Sequence, residues 1–263
     1  MASERRLAVV TGASSGIGLE LARQFAEHSF DLVIAAEDDE LGAAAAELGR
    51  RTNVLPVMVD LARYDGVEKL YAAVAATDRP LDAAALNAGI GLGGSFAVDQ
   101  TLDDILRLVR LNVESTVHLA KRVLTDMAAR VEGRVLFTSS IASTMPGPYQ
   151  AVYNASKSFV QSFAQALADE LRDSDITITS LMPGPTDTEF FERADLEDTK
   201  LANTTRDDPA DVARQGFEAL MDGRLKVVAG RWTNKVQAQA GRVLPDQVTA
   251  AAHRRMAEPG SVG

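Results

Sequence analysis

The sequence predicts an α/β protein with a doubly wound, mainly parallel seven-stranded sheet and helices on both faces. Three observations carry that reading. Short, wholly apolar runs rich in β-branched residues recur along the chain, as in strands buried on both faces. Amphipathic helical stretches separate them, and such alternation favours parallel pairing. The first run ends in a glycine-rich turn, Thr11-Gly12-Ala13-Ser14-Ser15-Gly16-Ile17-Gly18, that opens a helix. At 263 residues the chain suits one domain, 1–263, and no linker, repeat or low-complexity segment divides it.

Composition excludes several function classes. A net charge of −10 argues against nucleic acid as a partner, since phosphate binding needs a basic surface. The absence of cysteine removes disulfides, thiol nucleophiles and thiolate metal sites. His28, His118 and His253 are too scattered to suggest a metal cluster, so structural roles and no bound metal are expected. No apolar run approaches the ~20 residues that span a bilayer. Arg5-Arg6 before Leu7-Ala8-Val9-Val10 resembles the start of an export signal, but the apolar part stops at Thr11-Gly12. The chain reads as soluble and cytoplasmic.

Leu7 to Val10 is the first strand. In the turn that follows, Gly12 permits the tight bend, Gly16 lets backbone approach a pyrophosphate, and Gly18 lets the helix pack closely. Ser14, Ser15 and Ile17 complete a cradle at the helix N-terminus, where phosphates are held. The second strand, Leu32 to Ala36, ends in Glu37-Asp38-Asp39, about 20 residues after the glycine turn. An acid there binds adenosine ribose hydroxyls and repels a 2′-phosphate; with no Arg or Lys at the tip or in the turn, Glu37 favours NAD over NADP. Asp38-Asp39 could equally open the next helix, around Ala43 to Leu48. A third strand, Val54 to Val59, leads to Asp60-Leu61, where Asp60 either meets adenine or caps the following helix, Val67 to Ala76.

Strand Leu81 to Leu86 ends in Asn87-Ala88-Gly89, which brings backbone to a cofactor or merely turns the chain. Gly91 to Phe96 reads as a rim of the site. Asn112 separates the helical stretches Leu102–Leu111 and Val113–Ala129; an Asn inside so long a helix implies a partner or a bound water for its amide. Val135-Leu136-Phe137 is the fifth strand, its tip carrying Thr138-Ser139-Ser140-Ile141. After the Pro146-Gly147-Pro148 turn, Val152, Phe159, Phe163, Leu167 and Leu171 mark a helix with an apolar stripe. Tyr153 and Lys157 lie four residues apart on it, projecting from one face beside that stripe.

That spacing has a chemical use. A free phenol has a pKa of about 10, and an ammonium one helical turn away favours the phenolate. A serine on the preceding strand tip could hydrogen-bond the oxygen that gains or loses the proton. The last elements are strand Ile176–Leu181, helix Ala210–Met221 and strand Leu225–Ala229. Between the first two, 184–208 reads as a polar flap anchored by Phe190 and Phe191. From Arg224 to Ala257 seven Lys or Arg stand against one acid, Asp246, so 231–263 is a basic helical tail. It packs on the domain, or serves oligomer contact or attraction to an acidic membrane surface.

Taken together, these motifs resemble the single-domain branch of the short-chain dehydrogenase/reductase family, with its Rossmann-type fold, across nearly the whole chain. The matching pieces are Thr11-Gly12-x3-Gly16-x-Gly18, Asp60, Asn87-Ala88-Gly89, Asn112, Ser140, Tyr153-x3-Lys157, and Pro183-Gly184 with Thr186 and Thr188. The resemblance implies hydride transfer between a nicotinamide and a carbonyl or alcohol carbon. Tyr153 would be the general acid/base, and Lys157 would lower its pKa and hold the nicotinamide ribose. Ser140, thirteen residues before the tyrosine as in the family, would orient the substrate oxygen, and Asn112 would hold a water in a proton relay. Asp60 with Leu61 would contact adenine, Asn87 to Gly89 the ribose region, and Thr186 and Thr188, beside Pro183 and Gly184, the carboxamide and phosphates.

Cofactor choice departs from the family pattern. Many reductases with NADP carry Arg where Glu37 stands, and typical NAD members carry Asp where Ala36 stands. NAD(H) is the expectation, with NADP(H) open. The pocket positions Phe96, Ile141, Met145, Pro148, Tyr149, Phe190 and Phe191 are largely apolar, so with Ser140 they suggest a medium-sized apolar ketone or secondary alcohol. The resemblance also implies a homotetramer or homodimer formed through Val113–Ala129 and Val152–Leu171. A non-catalytic sensor or scaffold would be expected to lack Ser140, Tyr153 or Lys157, and isomerases or dehydratases using transient oxidation are usually longer.

Overall fold

The structure, a computed structural model, describes residues 5–261; residues 1–4 and 262–263, the ends of the expected 1–263 domain, lie outside it. Its elements run β1 (Arg6–Thr11), α1 (Gly16–Glu27), β2 (Phe30–Ala36), α2 (Glu40–Leu48), β3 (Val54–Met58), α3 (Tyr64–Ala75) and β4 (Ala83–Leu86). Then follow α4 (Leu102–Val109), α5 (Ser115–Arg130), β5 (Glu132–Thr138), α6 (Ala151–Glu170), β6 (Asp175–Met182), α7 (Phe190–Arg193), α8 (Pro209–Met221), β7 (Lys226–Val228), α9 (Trp232–Val243) and α10 (Asp246–Ala257). All seven strands pair in parallel in the order β3-β2-β1-β4-β5-β6-β7. Among the described residues no helix is long and apolar enough to cross a membrane.

Period-two alternation divides the core. Leu7, Val9, Val33, Ala35, Val135 and Phe137 face α3, α5 and α6, through Leu70, Val123, Met127 and Val160. Their neighbours Ala8, Val10, Leu32, Ile34 and Leu136 face α1, α2 and α8, through Leu21, Phe25, Leu41 and Phe217. Both faces are covered, which is why these strands read as continuous apolar runs. The chain reverses direction across the sheet between β1 and β4, where Val10 pairs with Ala85. The crevice at the carboxyl ends of those two strands is where such sheets bind ligands.

Two local expectations change. Asn112 does not separate two helices. Arg110–Glu114 forms a π-helical turn joining α4 to α5, and the extra residue per turn swings the Asn112 side chain to loop Ile90. On α6 the apolar stripe is only part of the buried face: Phe163, Leu167 and Leu171 pack on the core, but Phe159 is 41% exposed, and Tyr153, Ser156, Lys157, Val160 and Gln161 are buried. That face tolerates polar side chains because most find a partner, although Gln161 Nε2 and Asn154 Oδ1 are buried without one. Ser180 Oγ donates to Gln161 (2.6 Å), Asn112 Nδ2 donates to Ser156 Oγ (3.1 Å), and Lys157 Nζ donates to Thr138 O (3.0 Å).

Candidate active site

The carboxyl ends of β1, β4 and β5 are tied together by side chains. Thr11 Oγ1 accepts from the amides of Asn87 (2.9 Å) and Ala88 (3.0 Å); Asn87 Nδ2 donates to Thr11 O (3.1 Å), and Thr138 Oγ1 donates to Asn87 Oδ1 (3.0 Å). This lattice sets the floor of a cavity of about 650 Å³. Gly12 and Gly16 take φ +63° and +54°, the left-handed region open to glycine. A Cβ at Gly16 would press Thr188 at 3.0 Å, and one at Gly18 would strike the Gly12 carbonyl. At the start of α1, Ser15 makes no side-chain cap bond and no acid occupies the first turn. The free amides and positive helix end therefore stay available to an anion, and the glycine cradle leaves it room.

At the other end of the cavity stand Ser140, Tyr153 and Lys157. Ser140 follows β5 and begins a short 3₁₀ turn, its Oγ accepting from Ala142 N (3.1 Å). Burial pushes the Tyr153 phenol up to about 12, with the Ser140 hydroxyl pulling the other way. Burial pushes Lys157 down to about 8. Desolvation, rather than the lowering by Lys157 expected from spacing, therefore dominates the phenol. The Lys157 Nζ lies 5.9 Å from the centre of the Tyr153 ring, and Phe190 of α7 packs 5.2 Å from that ring. A buried phenol, a hydroxyl beside it and an ammonium on the same wall can pass a proton to or from an oxygen in the cavity.

The family model described as short chain dehydrogenase matches residues 6–199. The chain belongs to the short-chain dehydrogenase family. As a short-chain dehydrogenase/reductase it is an oxidoreductase of Rossmann-type fold. It is 33% identical to an uncharacterized short-chain type dehydrogenase/reductase of Sinorhizobium fredii, over 72% of this chain and 73% of the other. A short-chain dehydrogenase from Sphingobium yanoikuyae, solved with NADPH, is 28% identical with a TM-score of 0.78, covering 85% of this chain and 87% of that one. The bulky-bulky ketone specific alcohol dehydrogenase from Comamonas testosteroni is 26% identical with a TM-score of 0.75, covering 90% and 92%.

In this short-chain dehydrogenase, Gly12, Ser14, Ser15, Gly16, Ile17, Gly18, Glu37, Asp60, Leu61, Asn87, Ala88, Gly89, Pro183, Gly184, Thr186 and Thr188 all line the one cavity. Asp60 does both things the sequence left open: it lines the cavity and its Oδ1 accepts from Ala62 N (2.9 Å). Glu37 is exposed and pairs with Arg107 (2.5 Å), which also reaches Asp60 (3.2 Å). Asp38 is the deeper acid. It accepts from Ser14 Oγ (2.9 Å), and its other oxygen is buried without a partner. Asn112 lies behind the cavity wall rather than on it, its side chain spent on Ile90 N (2.9 Å), Ile90 O (2.9 Å) and Ser156.

The substrate end needs more correction. Ile141, Met145, Phe190 and Phe191 line the cavity, but Phe96 is 57% exposed and off its wall. Tyr149 and Pro148 are off it too: Tyr149 OH donates to Glu258 (3.0 Å), and Pro148 O accepts from His253 Nδ1 (3.1 Å). Hydrophobicity says that such residues seek cover, not which cover they find. Sequence reasoning missed Gln150, Leu201, His253 and Met256, which line the cavity. No local signal marks them, since His253 arrives from a helix about a hundred positions away in the chain.

Proposed function

We propose that the protein transfers a hydride between a nicotinamide dinucleotide and the carbonyl or secondary alcohol carbon of a small molecule. The observation that carries this is one cavity with an uncapped glycine-turn helix at one end and Ser140, Tyr153 and Lys157 at the other. When bound, the dinucleotide supplies or accepts the hydride. The amides opening α1, with Ser14 and Ser15, would hold its pyrophosphate; Glu37 and Asp38 the adenosine ribose; Asp60 and Leu61 the adenine. Asn87 to Gly89, Lys157, Pro183, Gly184, Thr186 and Thr188 would hold the nicotinamide half. NAD(H) is preferred over NADP(H). The unpartnered buried oxygen of Asp38 suits the donor hydroxyls of a ribose and opposes a phosphate, while Arg107 is engaged by Glu37 and Asp60.

In the reducing direction Tyr153 donates its phenolic proton to the carbonyl oxygen as the carbon gains the hydride; in oxidation it takes the proton back. Ser140 hydrogen-bonds the same oxygen. Lys157, while protonated, favours the phenolate and shortens the gap left by burial. Asn112 acts as a positioning residue, fixing Ile90 and with it the Asn87–Gly89 wall. Phe190 covers Tyr153 and keeps water from the phenol. The substrate is medium-sized, received among Ile141, Met145, Phe190 and Phe191.

Tyr153→Phe tests the chemistry: turnover of ketones and alcohols should vanish while NADH binding stays within about twofold. Retained turnover refutes the role of Tyr153. Titration with NADH and NADPH, followed by Trp232 fluorescence or calorimetry, tests the cofactor. Tighter NADPH binding that Asp38→Asn leaves unchanged would refute the reading of the β2 tip.

A further inference from the structure

The outer end of the cavity is built by α10. His253 Nδ1 hydrogen-bonds Pro148 O (3.1 Å), Tyr149 OH donates to Glu258 (3.0 Å), and the Arg254 guanidinium lies 5.8 Å from the centre of the Tyr149 ring. The same end of the chain holds the flap, through Leu201 N to Met256 O (2.9 Å) and Gly260 N to Asp198 (2.8 Å). His253 and Met256 thereby become cavity wall together with Gln150.

Two polar side chains at that end have hydrogen-bonding capacity left unused. Gln150 is 2% exposed, and among the described residues its side-chain amide has no hydrogen bond; its Nε2 is fully buried. Leaving such a group unsatisfied is costly, and a ligand can remove that cost. His253 is 8% exposed. The Pro148 carbonyl can only accept, so Nδ1 carries the hydrogen of that bond. Burial also holds the imidazole below its ordinary pKa, so the neutral ring presents Nε2 as a bare acceptor.

A hydroxyl suits either group: its hydrogen can go to His253 Nε2, and its oxygen can accept from the Gln150 amide once that amide turns to the cavity. A carboxylate has no hydrogen to give, and an apolar group leaves both unsatisfied. We propose that Gln150 and His253 read a second hydroxyl on the substrate, so that this dehydrogenase acts on hydroxylated ketones and the corresponding diols. The inference rests on the carbonyl and alcohol chemistry proposed above, and it narrows the largely apolar substrate suggested by the sequence.

The test compares kcat/KM for cyclohexanone with that for 2-, 3- and 4-hydroxycyclohexanone, using NADH and NADPH, in the parent, Gln150→Leu and His253→Phe. At least one hydroxy isomer should exceed cyclohexanone by about tenfold or more. In each variant that ratio should fall below about threefold, with the dissociation constant of reduced coenzyme within about twofold of the parent. Coenzyme binding reports folding, and the two variants lie on different elements, so either one alone can give the ratio. Turnover with ratios near one in the parent overturns the hydroxyl subsite alone, as does a ratio that survives both substitutions. Turnover of none of the four ketones with either coenzyme overturns the carbonyl chemistry and this inference with it.

Discussion

Replacing Lys157 by methionine keeps the aliphatic stem and removes the charge, and stability and activity should move in opposite directions. Burial lowers the lysine from its ordinary 10.5 to about 8, so holding it protonated in the folded state costs about 3 kcal/mol at pH 7. Its bond to Thr138 O returns about 1 kcal/mol. Lys157→Met should therefore be about 2 kcal/mol more stable at pH 7, or roughly 4–8 °C in Tm. The folded pKa lies below the unfolded one, so the penalty is complete below pH 8 and fades towards pH 10.5, and with it the advantage of the variant. Catalysis runs the other way. At 5.9 Å from the Tyr153 ring and an effective dielectric of about 20, the charge is worth about 3 kcal/mol, or roughly 100-fold in phenolate. With the phenol held up to about 12, alcohol oxidation needs that help. The variant should lose about 100-fold in kcat/KM at pH 7, and the deficit should narrow above pH 8 as the parent lysine loses its proton. Thermal melts at pH 7 and 10 and a pH profile of oxidation measure both effects. A variant less stable at pH 7, or one within about threefold of parental activity there, would refute the reasoning.

Other substitutions probe the remaining parts of the site. Gly18→Ala places a methyl group against the Gly12 carbonyl, so the turn must shift and coenzyme affinity should fall at least about tenfold by fluorescence titration; the better helix propensity of alanine offsets only about 1 kcal/mol. Asn112→Leu strands both backbone groups of Ile90 behind the wall, and a loss of about 2–4 kcal/mol in denaturant unfolding is expected, together with weaker turnover. In light scattering at micromolar concentration the protein should form a dimer or tetramer, with the exposed Phe159 on α6 near the contact; a 28.1 kDa particle would exclude it.

What could be read from the sequence follows from how locally each feature is determined. A run such as Leu7 to Val10, before a glycine turn, has few alternatives to a central strand, so the seven strands were legible to within about three residues, the widest miss being the start of β5 at Glu132 rather than Val135. Leu81 was expected in β4 and instead enters the core just before it, because burial and strand pairing give the same apolar signal. The glycine turn was legible too. Gly12 and Gly16 are demanded by backbone conformation and Gly18 by close approach, and helical geometry alone puts Tyr153 and Lys157 on one face. The stripe on α6 was legible only in part, because a helix face is buried according to what it meets. Ser156 and Gln161 meet polar partners, while Phe159 stacks on Phe163 at the surface.

The sequence by itself determined the sheet, the glycine turn and the pairing of Tyr153 with Lys157 on one helix face, since each is set by bonds, sterics or helical repeat over a few residues. Tertiary structure decided which acid at the β2 tip lies deeper, Asp38 rather than Glu37, and turned Asn112 from a helix interruption into the clasp of loop Ile90. It also decided the character of the substrate end. Gln150 and His253 become neighbours of one cavity only because α10 docks on the Pro148 carbonyl, a contact between residues 148 and 253 that no local preference encodes.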